Sequence, residues 1–598
     1  MESGLLQKFP ACRDAVEPRL LHLWPPKTQY AGISNEASGH ATRSTTFVVP
    51  TYVAKAQSRK KGATDVAGTR DLVVFYQQWH YSVDHQDFAC LDSLAGLTRL
   101  NQAWHRFIDA THPDAIYAAK LPNVASLREP REYFKDLKSF ARYGEDVESW
   151  KDACRRQTLL ARNWNDERPV TTESIIRFQA ANHFVWRFKP DFKRRLIIST
   201  SQSGGLFVTD MDTGRPLWSL LRNEGVREFA HLEYQDGVAV WDRFGNTLEV
   251  WKTDLPGLPR GHFRNVGLLH HEAETRGFQL SYTTICVAST DGHGFVYDVL
   301  PGDVSPTLRT HLEIQHGAIG HLDQSEHAVM YSMGTEGYHF FEKTSGTLMG
   351  HIRPHLVDPF KVFHVNHPVA PSSDFALIRR EILRLVPPND EDQGPFPPKN
   401  PKKDRLTPCR VLPGPLRSGQ AVPIAIHTPP LVNDDWGAGM LNGKTMVGVS
   451  RGGRVIVCTD WERAFRSEAD FAAVTAIIEC ESGDGADFDL GGWLSIHETP
   501  AGKRVIFEIK HRIYILPLGP EGDVITTLPV LVATTSLPSL GVPVSFMGVY
   551  DDCIMSTFTM VRPEVDAREV PNENGEEAPT WRITPTKIIR VLSFAPEF

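Results

Sequence analysis

The stretch Arg195–Leu221 reads as three short strands joined by two tight turns. Leu196–Ser199 is an apolar, β-branched run, and Ser203-Gly204-Gly205 turns the chain. Leu206–Met211 alternates in period two, Asp212-Thr213-Gly214 turns it again, and Pro216–Leu221 follows. Strand-length runs bounded by Gly and Asp clusters signal an antiparallel meander. One meander cannot cover both of its faces. It needs copies stacked beside it, and a chain that supplies them is confined to repeat architectures.

The copies are present. Phe229–Tyr234, Gly237–Asp242 and Thr247–Thr253 form a second, and Phe278–Thr290, Gly294–Val299 and Leu308–Ile314 a third. Gly320–Gln324, Ala328–Met333, Tyr338–Glu342 and Leu348–Ile352 form a fourth. Later come Trp436–Leu441, Thr445–Ser450 and Arg454–Thr459, then Leu490–His497, Arg504–Ile509 and Arg512–Leu516. Val544–Tyr550, Asp552–Thr559 and Thr586–Phe594 make the seventh. A radial array of blades leaves few open sheet edges, so a seven-bladed β-propeller over 169–598 is expected, against two separate stacks of sheets. An early strand closes such a ring, and the segment Glu173–Arg187 is expected to pair near Ile588–Phe594.

Residues 1–70 show no periodicity and carry a short basic run at 58–61; they read as disordered, with a solvated patch favoured over a nuclear signal. Helical patterns follow in 71–125 and in a linker, 126–168. Leu91, Leu94, Leu97, Leu100, Trp104, Phe107 and Ile108 recur at steps of three and four. His112-Pro113-Asp114 opens a further short helix through Leu121, and Glu132–Tyr143 and Glu148–Asn163 are also read as helices. The whole chain is thus α+β. Two insertions are expected as loops, one at 386–408, dense in Pro and charge, and an acidic one at 563–580. A short helix is read at Ala376–Leu385.

The balance of 64 basic against 72 acidic residues gives a net charge of −8, which argues against a general nucleic-acid binder. No apolar run approaches the ~20 residues of a membrane span. The eight cysteines include no C-x-x-C pair, several sit inside strand patterns, and no secretory signal is apparent. Buried thiols in a cytoplasmic or nuclear protein are the expectation.

Residues 87–121 resemble an F-box, the helical module that binds a Skp-type adaptor. Leu94, Leu97 and Leu100 match its Leu-rich middle helix, and Asn101–His105 with Phe107-Ile108 match the following Trp-bearing helix. Trp150-Lys151, Cys154-Arg155-Arg156 and Leu160–Trp164 resemble the linker of F-box proteins that carry WD-repeat propellers. The family's opening Leu-Pro-x-Glu turn has no counterpart in 71–88, so the first helix is divergent. The resemblance implies the substrate receptor of an SCF-type ubiquitin ligase, which catalyses nothing itself. Phe88, Leu91, Leu94, Leu97, Leu100, Trp104, Phe107 and Ile108 would serve the adaptor, and through it a cullin scaffold. The propeller would hold a target protein. A plain helical cap on an interaction scaffold is the alternative.

Turns between second and third strands share one face of a propeller, where binding tends to reside. Arg243, Asn246, His293 and Arg451 are the candidate target contacts. The two arginines suit a carboxylate or phosphate, or are simply solvated. Asp210–Trp218 has the Asp-x-x-Thr-Gly-x-x-x-Trp spacing of quinoprotein dehydrogenase propellers, in which the Trp docks between blades. That makes a quinone enzyme a remote alternative. No cofactor is expected. Nor is a metal, since adjacent His270 and His271 on a strand point to opposite faces.

Overall fold

The computed structural model describes residues 98–99, 102–111, 113–121, 127–176, 178, 184–243, 246–302, 304–314, 321–367, 406–415, 431–480, 493–499, 502–509, 512–534, 546–571 and 577–596. The readings made for 1–70, 71–97 and 376–385, and nearly all of the 386–408 insertion, lie outside them.

The described strands sort into five separate four-stranded antiparallel sheets and one ten-stranded sheet. Blade 1 is Val185–Asp191, Leu196–Ser201, Leu206–Asp210 and Pro216–Leu220. Blade 2 is Leu232–Gln235, Val238–Arg243, Thr247–Lys252 and Arg264–His270. Blade 3 is Thr275–Ser281, Thr284–Ser289, His293–Asp298 and Thr307–Glu313. Blade 4 is Leu322–Gln324, Ala328–Ser332, Tyr338–Glu342 and Leu348–Ile352. The ten-stranded sheet holds two more antiparallel fours. Blade 5 is Trp436–Asn442, Thr445–Ser450, Arg454–Cys458 and Thr475–Glu479, and blade 6 is Leu494–Thr499, Gly502–Ile509, Arg512–Leu518 and Val530–Thr534. Blade 7 is Met547–Val549, Cys553–Pro571 and Glu577–Ser593, completed by Thr172–Ile176.

Each blade's first strand lies against the first strand of the next, and blade 7 returns to blade 1. The fold is therefore a closed, β-propeller-like ring. Thr172 pairs with Ser593 and Ile176 with Ile589, so the early strand closes the ring within the stretch where pairing was expected. The segment Glu173–Arg187 does not stay together, however. Its second half opens blade 1 as the innermost strand, because the first meander needed a strand on its inner side.

Second strands are buried on both faces, as in Leu196–Ser201, Thr284–Ser289 and Thr445–Ser450. Neighbouring blades cover both sides of each sheet, which is why these strands read as unbroken apolar runs. The Asp210 turn of blade 1 is self-satisfied: one carboxylate oxygen accepts from the backbone N–H of Asp212 and from both donors of Thr213. Trp218 lies 5.4 Å from Trp251 and 5.6 Å from Phe263, a plate between blades 1 and 2.

Three features depart from the reading of the sequence. The strands Val362–Asn366 and Thr407–Pro413 form a strap. One runs parallel to the edge of blade 5 and the other antiparallel to the edge of blade 6, fusing the two blades. The expected acidic loop at 563–580 is a correction: its described residues, 563–571 and 577–580, continue the ladder of blade 7, with Glu564 opposite Arg582 and Pro571 opposite Glu577. Glu132–Tyr143 is not one helix either. Helix covers only Pro130–Tyr133, and turns follow, because the next residues spend their backbone donors on blade 7.

Candidate functional site

The helical segment is built around buried side chains. Phe107 and Ile108 are buried with Ile116, Tyr117 and Leu121. They pack in the interior of the helical segment. Trp104 lies in the Gln102–His105 helix, while Phe88, Leu91, Leu94, Leu97 and Leu100 lie outside the described residues. The Tyr117 hydroxyl donates to Asp109 at 2.9 Å, and Lys151 meets the same carboxylate at 2.9 Å. Burial acts to raise the Asp109 pKa, but Lys151 and Tyr117 hold it below the usual range.

The helix Trp150–Asn165 begins at Ser149, whose hydroxyl caps the Asp152 N–H at 3.2 Å. Its buried stripe is Trp150, Ala153, Cys154, Leu160 and Trp164, at the helical spacing that packs one face. Burial pushes the Cys154 thiol up to about 12. The last turn is a latch. Trp164 stacks on Phe594 with ring centroids 3.7 Å apart and donates to the Asp551 carbonyl at 2.9 Å. The Asn163 amide donates to the carbonyls of Val170 and Phe594 at 2.6 and 2.7 Å.

A second latch lies upstream. Asp552 accepts from the Ser139 hydroxyl at 2.6 Å and from the N–H groups of Phe140 and Ala141 at 2.9 Å each. From blade 1, Arg195 donates to the carbonyls of Ser139 and Phe140 while pairing with Asp212, which also holds Arg142. The stretch Arg131–Glu145 is thereby held against the end of the ring where first strands turn into second strands.

The opposite end carries the turns singled out in the sequence. Arg243 pairs with Glu249 at 2.8 Å, and Arg451 with Asp435 at 3.5 Å. Asn246 has φ 57° and its carbonyl accepts from the His271 N–H, while His293 sits 3.9 Å from Asp291 and 4.8 Å from the His311 ring. Each is engaged within its own blade, and among the described residues no hydrogen bond or ion pair gathers them into one site. The same end shows a feature the sequence reading missed. Phe229, read as the start of a strand, instead has φ 54°, is 51% exposed, and meets Trp186 edge-on at 5.1 Å. A bulky residue in that backbone region is uncommon outside specialised sites.

First strands converge on a chamber of about 1110 Å³ that reaches from the ring's centre to Arg131–Glu145. Period-two alternation aims Lys189, Glu233, Gln279, His321 and Asp323 inward from four blades. Lys189 bonds Glu233 at 2.8 Å and His231 lies 3.0 Å from its other oxygen. Burial acts against the charge of Glu233, yet Lys189 and His231 bring its pKa down to about 2. Asp323 is only 7% exposed and accepts from the Leu441 N–H at 2.6 Å. Burial, with Glu233 nearby, pushes its pKa up to about 7. Burial holds His321 down to about 4, so the ring is neutral at physiological pH.

No family model matches this chain, and no curated protein matches it in sequence. Among solved structures, BamB from Moraxella catarrhalis is similar over 68% of this chain and 96% of its own, at 10% identity and a TM-score of 0.32. The computationally designed Ika8 protein is similar over 70% of this chain and 99% of its own, at 11% identity and a TM-score of 0.35. The designed Ika4 protein covers 28% of this chain and 96% of its own, at 16% identity and a TM-score of 0.23. The propeller-like fold is assigned from the strand pairing and the ring closure.

Proposed function

We propose that this chain is a non-catalytic interaction scaffold that serves as the substrate receptor of an SCF-type ubiquitin ligase. Its F-box-like module takes a Skp-type adaptor, and its ring takes a target protein. The observation that carries the reading is the double latch, Trp164 on Phe594 and Ser139 on Asp552. A receptor works by holding its target at a set distance from the transfer machinery, so the module that meets the adaptor must not swivel against the ring. Because Arg131–Glu145 occupies one end of the ring, the target face is assigned to the other, beside Trp186 and Phe229.

The test is co-purification of the full chain with a Skp-type adaptor. Retention that is lost in a Leu97→Lys, Trp104→Glu variant of unchanged melting temperature supports the proposal. No retention, or equal retention by the variant, overturns it and leaves a scaffold without a ligase role.

A further inference from the structure

We infer that the long hairpin of blade 7 is a docking surface for the chain's own segment 375–386, an intramolecular contact that does not depend on the receptor reading. The second and third strands of blade 7 run on past its body. Beyond Thr557 and Ile589 they pair only with each other among the described residues, as far as Pro571 opposite Glu577. At ~3.4 Å per residue this makes roughly 40 Å of two-stranded ribbon. The elements that pack on the two strands, Met547–Val549, Thr172–Ile176 and Val185–Asp191, belong to the body of the ring. A ribbon of two strands is marginal in water and needs a further surface.

Cross-strand partners share one face of a ladder. The register places Val561 and Pro585, Pro563 and Ile583, and Val565 and Trp581 on one face, while Arg562, Glu564 and Arg582 fall on the other. Pro563 and Pro585 remove a backbone donor from each edge, so the apolar face and not an added strand is what the ribbon offers. Three apolar pairs cover roughly 200–300 Å², far below the ~800 Å² that each side of a stable protein interface buries. A second copy is held too weakly by such a face, whereas a tethered segment works at a high effective concentration.

The segment is carried by residues 368–405, which lie outside the described ones, leaving the ring at His367 and returning at Leu406. Val362–Asn366 runs parallel to the outer strand of blade 5. It therefore ends on the side where second strands turn into third strands, from which the ribbon also extends. Blade 6 alone stands between the strap and blade 7. Sheets pack about 10 Å apart, and the flank 368–374 extends to about 25 Å. Within 375–386, Phe375, Ile378, Ile382 and Leu385 recur at helical steps, with three arginines against one glutamate. The stretch 562–582 holds six acidic and three basic residues, the complementary sign.

The experiment titrates a labelled synthetic peptide of residues 372–388 onto a full-length variant in which 374–387 is replaced by a Gly-Ser sequence of equal length, read by fluorescence anisotropy. Saturable binding is expected. It should be at least tenfold weaker to the parent chain, whose own segment competes. It should be at least tenfold weaker when Trp581→Glu is added to the replaced variant, and kept when Thr584→Glu is added on the other face. Should Trp581→Glu lower the melting temperature, Val565→Asp serves in its place. No binding to the replaced variant, or equal binding by the parent chain or by Trp581→Glu, overturns the inference. A parent chain that sediments as a dimer and becomes a monomer in Trp581→Glu also overturns it and assigns the face to a second copy.

Discussion

The Asp552 carboxylate accepts a 2.6 Å hydrogen bond from the hydroxyl of Ser139, 413 residues earlier in the chain. The bond is buried, and it fixes the segment between the helical module and the ring. Asp552 therefore acts as a joint that orients two parts of the chain.

Asp552→Ala is expected to release that joint. It leaves the Phe140 and Ala141 N–H groups without their acceptor. Hydrogen bonds to a charged group are worth about 1.5–3 kcal/mol each, so a loss on the order of 3 kcal/mol is expected. Limited trypsinolysis checks it, with cleavage after Lys138 and Arg142 accelerating while the ring persists. An unchanged rate would mean that Trp164 and Asn163 hold the joint alone.

Asp323→Asn is expected to stabilise the protein at pH 8. The folded carboxyl keeps its proton up to about 7, whereas the unfolded one loses it near 4. Raising the pH through that window favours the unfolded chain, and the whole penalty is present above it. At about 1.4 kcal/mol per unit, the ceiling on the gain is roughly 4 kcal/mol. Thermal melts of both proteins at pH 8 and pH 4 measure it, and the difference should vanish at pH 4.

Arg454→Leu is expected to cost about 3–5 kcal/mol. Arg454 bridges Asp434 at 2.7 Å and Glu479 at 3.1 Å, and all three are buried. Its removal strands two carboxylates inside blade 5. Urea denaturation reads the loss, and a change below about 1 kcal/mol would mean that water reaches the pair.

Gly337→Ala is expected to be far more damaging than Gly302→Ala. Both glycines have positive φ, 85° and 77°. A Cβ on Gly337 would lie 2.2 Å from the Ile352 carbonyl oxygen, whereas one on Gly302 meets nothing within 4 Å. Left-handed strain alone costs about 1–2 kcal/mol, and overpacking adds about 1–3. Denaturation midpoints of the two variants separate these contributions.

The second strands were legible in the sequence because blades cover them on both sides. Leu196–Ser201 and Thr445–Ser450 are unbroken runs that need no knowledge of their neighbours. Outer strands were legible only in part: Pro216–Leu220, Thr307–Glu313 and Leu348–Ile352 were read. Arg264–His270, Thr475–Glu479 and Val530–Thr534 were missed, and exposure along Arg264–His270 follows no clean alternation. Arg264–His270 is an edge strand, and its composition is weakly constrained, whereas Thr475–Glu479 and Val530–Thr534 are paired on their outer side by the strap, which the sequence reading did not foresee. In the linker, the stripe Trp150, Cys154, Leu160 and Trp164 was visible from its spacing. The partners of Trp164 and Asn163 were not, because Phe594 and Asp551 lie at the far end of the chain.

By itself the sequence determined a repeated meander and an early strand able to close it, since local turn chemistry and strand patterning need only neighbouring residues. The tertiary structure alone decided where the chemistry gathers. Lys189, Glu233 and the pair His321 and Asp323 occupy polar positions in three blades with no motif to join them. Only a closed ring turns those three strands toward one axis, and only burial at that axis makes the charge of Asp323 costly.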